Sequence, residues 1–186
     1  MLLGELNMEN NKLKMRNFLE LNGDFIYLRK LGKEYIEEYY ECFKNISIES
    51  IVFTGTQQMF TKSNAERYLE DISYDSSRAD FLIFSKELNK IVGEVSINEI
   101  NRNNRSANIR VIVFRKEDFN KGYGSEAIVL ALHYGFGMFN LHRIELDVFD
   151  FNERAIHVYE KLGFKKEGIK RDGLYFNCDE SLKTLL

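Results

Sequence analysis

The strongest constraint on this chain is a short stretch with two glycines, Asn120-Lys121-Gly122-Tyr123-Gly124-Ser125-Glu126-Ala127, set between a strand-like run and a helix-like one. Upstream, residues 107–114 read as a strand; downstream, Ala127, Ile128, Leu130, Ala131 and Tyr134 fall on one helical face. Glycines at such a junction let the backbone approach a ligand closely. The first turn of the helix adds unpaired N–H groups, and together these suit a pyrophosphate. No Gly-Lys-Ser/Thr closes the stretch, so it is not a P-loop, and Ala127 stands where a dinucleotide fingerprint has its third glycine. A simple tight turn fits the same residues equally well.

The rest of the chain supplies the scaffold around that junction. Residues 1–18 are largely polar and read as a loosely held leader, with residues 19–186 as one domain. After the Asn22-Gly23-Asp24 turn comes a short strand, Phe25 to Leu28. A helix is expected over 33–45 and another from Ser63, where Ser63 and Glu66 form a capping box; Phe53-Thr54-Gly55-Thr56 reads as loop. Strands Phe81–Phe84 and Ile91–Val95 flank a turn at 87–90, and Ala107–Phe114 follows the polar loop 101–105. These three strands make an antiparallel meander. Beyond the helix after Gly124 the pattern gives a strand (Arg143–Phe149), a helix (Asn152–Leu162) and a strand (Phe164–Gly168), a βαβ unit that implies parallel pairing. The expected class is α+β, with a mixed, mostly antiparallel sheet.

Composition narrows the partners. A net charge of −3 and a pI near 5.7 argue against nucleic acid or an anionic membrane surface, both of which select basic faces. No run approaches the roughly 18 apolar residues of a membrane span. Cys42 and Cys178 fit no metal or redox spacing, so two free thiols in a cytoplasmic protein are expected. His133, His142 and His157 match no zinc motif, and no metal is expected.

A second motif follows the first closely: Asn152-Glu153-Arg154-Ala155-Ile156-His157-Val158-Tyr159-Glu160-Lys161-Leu162-Gly163-Phe164. Asn152 is placed to cap a helix, Ala155, Ile156, Tyr159 and Leu162 form its apolar stripe, and Gly163 suits a left-handed C-terminal cap. From the stripe alone Tyr159 is a core residue. In combination with the glycine stretch, however, the chain resembles the GNAT superfamily of N-acetyltransferases from about Phe25 onward. The resemblance is closest to the branch that acetylates ribosomal-protein N-termini.

That resemblance implies a sheet with helices on both faces and central strands that splay to form an acetyl-CoA cleft. It implies that Val111, Ile112 and Val113 offer backbone groups to the pantetheine arm. Lys121, Gly122, Tyr123, Gly124 and Ser125 would hold the pyrophosphate, and Asn152 would contact the pantetheine region. Tyr159 would protonate the departing thiolate, a role that suits a phenol with a reference pKa near ~10. No nucleophile motif such as Gly-x-Ser-x-Gly is present, in keeping with direct attack by the amine.

The base is less clear in the pattern. Asn108 stands where relatives carry Glu; it can position water, and Glu99 is the nearest substitute carboxylate. Arg110 replaces a usual glycine, Phe119 a usual glutamine, arginine or tryptophan, and the tail segment Asn177–Ser181 is shorter than the family's final hairpin. The expected acceptor is a primary amine on a protein N-terminus. A polyamine or an aminoglycoside is the alternative, which a negative net charge suits, as is a weakly catalytic module that binds and senses acyl-CoA. Homodimers are common in the family.

Overall fold

The computed structural model describes residues 20–55 and 60–175. Their strands form one six-stranded sheet in the order β1-β2-β3-β4-β5-β6. These are β1 (Glu20–Asn22), β2 (Ile26–Lys30), β3 (Ala79–Ser85), β4 (Lys90–Asn101), β5 (Ser106–Val113) and β6 (Arg143–Glu145). The helices are α1 (Ile36–Lys44), α2 (Ile48–Thr54), α3 (Lys62–Tyr74), α4 (Tyr123–Met138) and α5 (Glu153–Lys161). The meander is antiparallel from β1 to β5, and β6 pairs parallel to β5. The class is α+β, as the sequence pattern implies. No helix among the described residues is long and apolar enough to cross a membrane.

Helices cover both faces. On one, α4 lays Ala127, Ile128 and Ala131 against Ile26, Val95, Ile97 and Ile109. Small residues on α4 bring it close to the sheet: a Cβ on Gly135 would lie 2.8 Å from Ile144 Cδ1 and 3.1 Å from Ile97 Cδ1. The opposite face packs Tyr39 and Cys42 of α1 and Ala65 and Leu69 of α3 on Leu82, Phe84, Ile91 and Phe114. Burial pushes the Cys42 thiol up to about 11, so it sits there as a small apolar side chain.

The structure departs from the sequence reading at several elements. β1 is an additional edge strand, held by the Glu20↔Arg29 pair and its 2.9 Å ion pair, and is too short to show a period. Phe53 and Thr54 are the end of α2, not loop. Ser47 caps this helix by accepting from the Ser50 N–H at 3.1 Å, and Gly55 ends it at φ 66°. The capping box of α3 is Thr61 with Asn64, two residues before the Ser63–Glu66 pair that the motif favoured.

The βαβ expectation changes most. Its parallel pair is β5–β6, and the crossover is α4. Strand β6 stops at Glu145, and residues 164–168 are no strand at all: Lys165, Lys166, Glu167 and Gly168 are exposed and pair with no strand, and Glu167 instead accepts from the Arg143 guanidinium at 2.6 and 2.9 Å. Gly163, at φ 93°, turns the chain so that the Phe164 N–H returns to the Tyr159 carbonyl at 3.0 Å, which closes α5 instead of opening a strand. The leader 1–18, Cys178 and the segment 177–181 lie outside the described residues.

Candidate active site

Strand β5 has two unlike edges. Toward β4 it pairs from Gly93↔Val113 to Asn98↔Asn108 and, past an irregularity, at Asn101↔Ser106; toward β6 it pairs only from Ser106↔Arg143 to Asn108↔Glu145. The Phe114 N–H donates to the Val92 carbonyl at 2.9 Å, which sets the phase of the antiparallel ladder. By alternation, the backbone groups of Arg110 and Ile112 face β4. Those of Ile109, Val111 and Val113 face the open side, where the chain after Glu145 has left the sheet. One of them is already engaged: the Val113 carbonyl accepts from Ser50 Oγ of α2 at 2.7 Å. Of the three residues expected to serve a pantetheine arm, Val111 therefore presents an N–H and C=O with no partner among the described residues, and Ile112 turns its own to β4.

Below that edge lies the glycine stretch. Gly122 takes a left-handed conformation (φ 82°, ψ −8°) and begins α4 with no side-chain cap. The Glu126 N–H bonds to the Gly122 carbonyl, which leaves the first-turn N–H groups of Tyr123, Gly124 and Ser125 for a ligand. A Cβ on Gly124 would meet only Val113 and Val111 methyls, at 3.6 and 3.9 Å. Packing alone therefore does not demand glycine at 124.

Buried Asp118 anchors the stretch through Lys121 (3.3 Å) and Lys90 (3.5 Å), and buried Tyr123 shares a 3.1 Å hydrogen bond with Ser85 Oγ. Glu126 accepts from the backbone N–H groups of Asp24, Phe25 (3.0 Å) and Ile26 (3.1 Å), which ties α4 to the β1–β2 turn. On that flank lies a depression of about 420 Å³ lined by Asp24, Phe25, Lys86, Glu87, Lys121 and Tyr123.

The other flank is α5. Asn152 is buried, and its Oδ1 caps the helix through the Ala155 N–H at 3.2 Å, so only its amide NH₂ is left for a ligand. Tyr159 is half-buried and meets Phe164 edge-on at 5.8 Å. Burial raises its phenol above the ordinary value, with Arg110 pulling back, so it is protonated at neutral pH. Arg154 lies over the Phe119 ring at 3.8 Å and over Phe53 at 5.5 Å. Partial desolvation lowers its pKa somewhat, opposed by Glu49.

The candidate bases separate. Glu99 is exposed at the irregular end of β4 (φ 54°), where its charge acts on Lys170. Asn108 is half-buried opposite Asn98, whose buried Oδ1 has no hydrogen-bond partner. This pair can hold a water on the face that also carries Arg110 and Ser96.

Sequence reasoning missed Glu94, the lone charge within the run Ile91–Val95. It is buried and accepts from the Tyr39 hydroxyl at 2.7 Å and the Tyr68 hydroxyl at 3.3 Å. Arg78 donates to Tyr68 (2.8 Å) and to Asp80 beside them. Burial pushes the Glu94 carboxyl up to about 7, against the pull of the tyrosine hydrogen bonds. Its signal was an acidic residue amid β-branched neighbours, together with a tyrosine-rich helix to receive it. Among the described residues no group of three His, Cys, Asp or Glu is placed to hold a metal.

With this geometry in view, known proteins agree in kind. A family model described as an acetyltransferase (GNAT) domain matches residues 26–165. The spermidine N(1)-acetyltransferase of Escherichia coli K12 is 32% identical over 143 residues, 77% of this chain and 74% of that protein. The crystal structure of spermidine N-acetyltransferase from Vibrio cholerae in complex with CoA and spermine superposes with a TM-score of 0.74 at 26% identity, covering 84% of this chain and 90% of that one. A putative ribosomal N-acetyltransferase of Bacillus subtilis is 32% identical over 120 residues, 62% of this chain and 65% of that protein.

Proposed function

As the chain belongs to the GNAT acetyltransferase family and is an acetyl-CoA-dependent N-acetyltransferase, we propose that its acceptor is a primary amine of a polyamine. The observation that carries this reading is the likeness to spermidine acetyltransferases over about three quarters of both chains, against a shorter match to the ribosomal type. The protein N-terminus that the sequence pattern favoured becomes the second reading. A net charge of −3 accords with a polycationic acceptor.

In the proposed mechanism the free N–H groups of Tyr123, Gly124 and Ser125, with Lys121, bind the pyrophosphate. The Val111 N–H donates to the thioester carbonyl and stabilises charge as it develops on oxygen. Asn152 steadies the pantetheine arm through its amide NH₂. The neutral acceptor amine attacks the acetyl carbon and forms the C–N bond while the C–S bond breaks. Tyr159 gives its proton to the departing sulfur. A water held by Asn108 and Asn98 takes the amine proton, and solvent restores the phenol. Glu99 has no part in these steps.

The test is thiol release from acetyl-CoA with spermidine, spermine, an aminoglycoside and ribosomal N-terminal peptides as acceptors, beside titration of CoA into wild type and Gly124→Glu. Turnover with a polyamine at a kcat/KM at least tenfold above the peptides is expected, with CoA binding lost in the variant. A preference for peptide would overturn the acceptor assignment and leave the chemistry standing.

A further inference from the structure

Three separate segments meet beside the glycine stretch: Phe53 at the end of α2, Phe119 just before Asn120, and Arg154 in the first turn of α5. The Arg154 guanidinium lies 3.8 Å from the centroid of Phe119 and 5.5 Å from that of Phe53. Two rings restrict the rotamers of a long side chain and shield its faces from water, while the N–H edge of a planar guanidinium remains able to donate.

No carboxylate pairs with this cation among the described residues. Glu49 of α2, the acidic group among the described residues whose charge acts on Arg154, is held by Lys116. Lys121, the cation assigned above to the pyrophosphate, has its charge shared with buried Asp118. Among the described residues Arg154 is thus an exposed guanidinium with no carboxylate partner, on a helix whose own N-terminus favours anions. Bidentate binding of phosphate oxygens is the chemistry such a group serves best.

We propose that Arg154 binds a phosphate of the coenzyme, and that Phe119 and Phe53 form the platform that aims it. This rests on the acetyl-CoA reading above. It also accounts for an oddity of the sequence: where relatives place a polar or cationic side chain or a tryptophan, Phe119 supplies a ring that recruits the cation from α5.

Calorimetric titration of CoA and dephospho-CoA into wild type, Arg154→Ala, Phe119→Leu and the double variant tests it, with thermal melts to confirm folding. A lost charge-assisted contact corresponds to about a tenfold or greater weakening, so Arg154→Ala should bind CoA at least ~10-fold more weakly, with KM for the acceptor unchanged. If wild type prefers CoA over dephospho-CoA and the variant does not, the contact is to the 3′-phosphate. If both ligands weaken alike, it is to the pyrophosphate. Phe119→Leu should weaken CoA severalfold in wild type and add nothing in the Arg154→Ala background. Unchanged CoA affinity in folded Arg154→Ala overturns the proposal, and an equal effect of Phe119→Leu in both backgrounds overturns the platform. Absence of CoA binding by wild type itself overturns the acetyl-CoA reading, and this proposal with it.

Discussion

The part of the sheet that precedes α4 and the region that follows it obey opposite rules. From β1 to β5 every strand has an antiparallel neighbour, and β3 buries all seven of its residues and β4 eight of its twelve. After α4, β6 is three residues long, residues 146–149 lie outside the sheet, and α5 has no fully buried residue. The first region satisfies its polar backbone internally, as a stable core requires. The second leaves backbone groups of β5 open and positions Asn152, Arg154 and Tyr159 around them. Core packing is thus concentrated in the first stretch and open backbone in the second, and the two are joined along β5.

The largest effect expected lies in the first region. Ile97 is fully buried between β4 and α4, and Ile97→Ala should lower unfolding free energy by about 2–5 kcal/mol, measured by denaturant titration. A loss below ~1 kcal/mol would mean that the core does not hold the fold.

The second region should respond in rate, not stability. The Tyr159 hydroxyl makes no hydrogen bond with the described residues, so Tyr159→Phe should leave the melting temperature nearly unchanged while kcat falls about 10²-fold. Retention of wild-type kcat would remove the phenol from the chemistry.

A smaller, pH-dependent effect sharpens the contrast. Glu94 has a folded-state pKa of about 7, above its unfolded value near ~4.3. The native state then holds a proton that the unfolded chain has released, so this group's stabilisation is full below ~4.3 and is lost as pH rises to about 7. Relative to wild type, Glu94→Gln should become progressively more stable as pH rises across that window, and the difference should level off above it. Parallel stability curves for the two proteins would show that Glu94 is not protonated in the fold.

What the sequence made legible follows the reach of each signal. The meander, the glycine stretch, the Asn152 cap and the Gly163 stop are written in neighbouring residues, and they stand where the pattern put them. The lost strand at 164–168 and the shortened β6 depend on partners that the local pattern does not contain. A strand exists only where another accepts its hydrogen bonds, and that edge of β5 is given over to the cleft. The parallel crossover was expected through α5 and runs through α4, because periodicity identifies elements without saying which of them pair. Glu94 with Tyr39 and Tyr68, and Arg154 with Phe119, are meetings of residues 26–55 and 35 positions apart, which no helical or strand period announces.

The hold of Glu126 on the β1–β2 turn has a consequence for how the molecule is made. The turn leaves the ribosome 100 to 102 residues before the carboxylate that satisfies its N–H groups. At roughly 5–20 residues per second, that is a wait of about 5–20 s, during which the nascent meander is open at the end where α4 will begin. The glycine end is thus among the last parts of the molecule to set, and a chain interrupted before Glu126 would carry most of the sheet without the carboxylate that ties α4 to the β1–β2 turn.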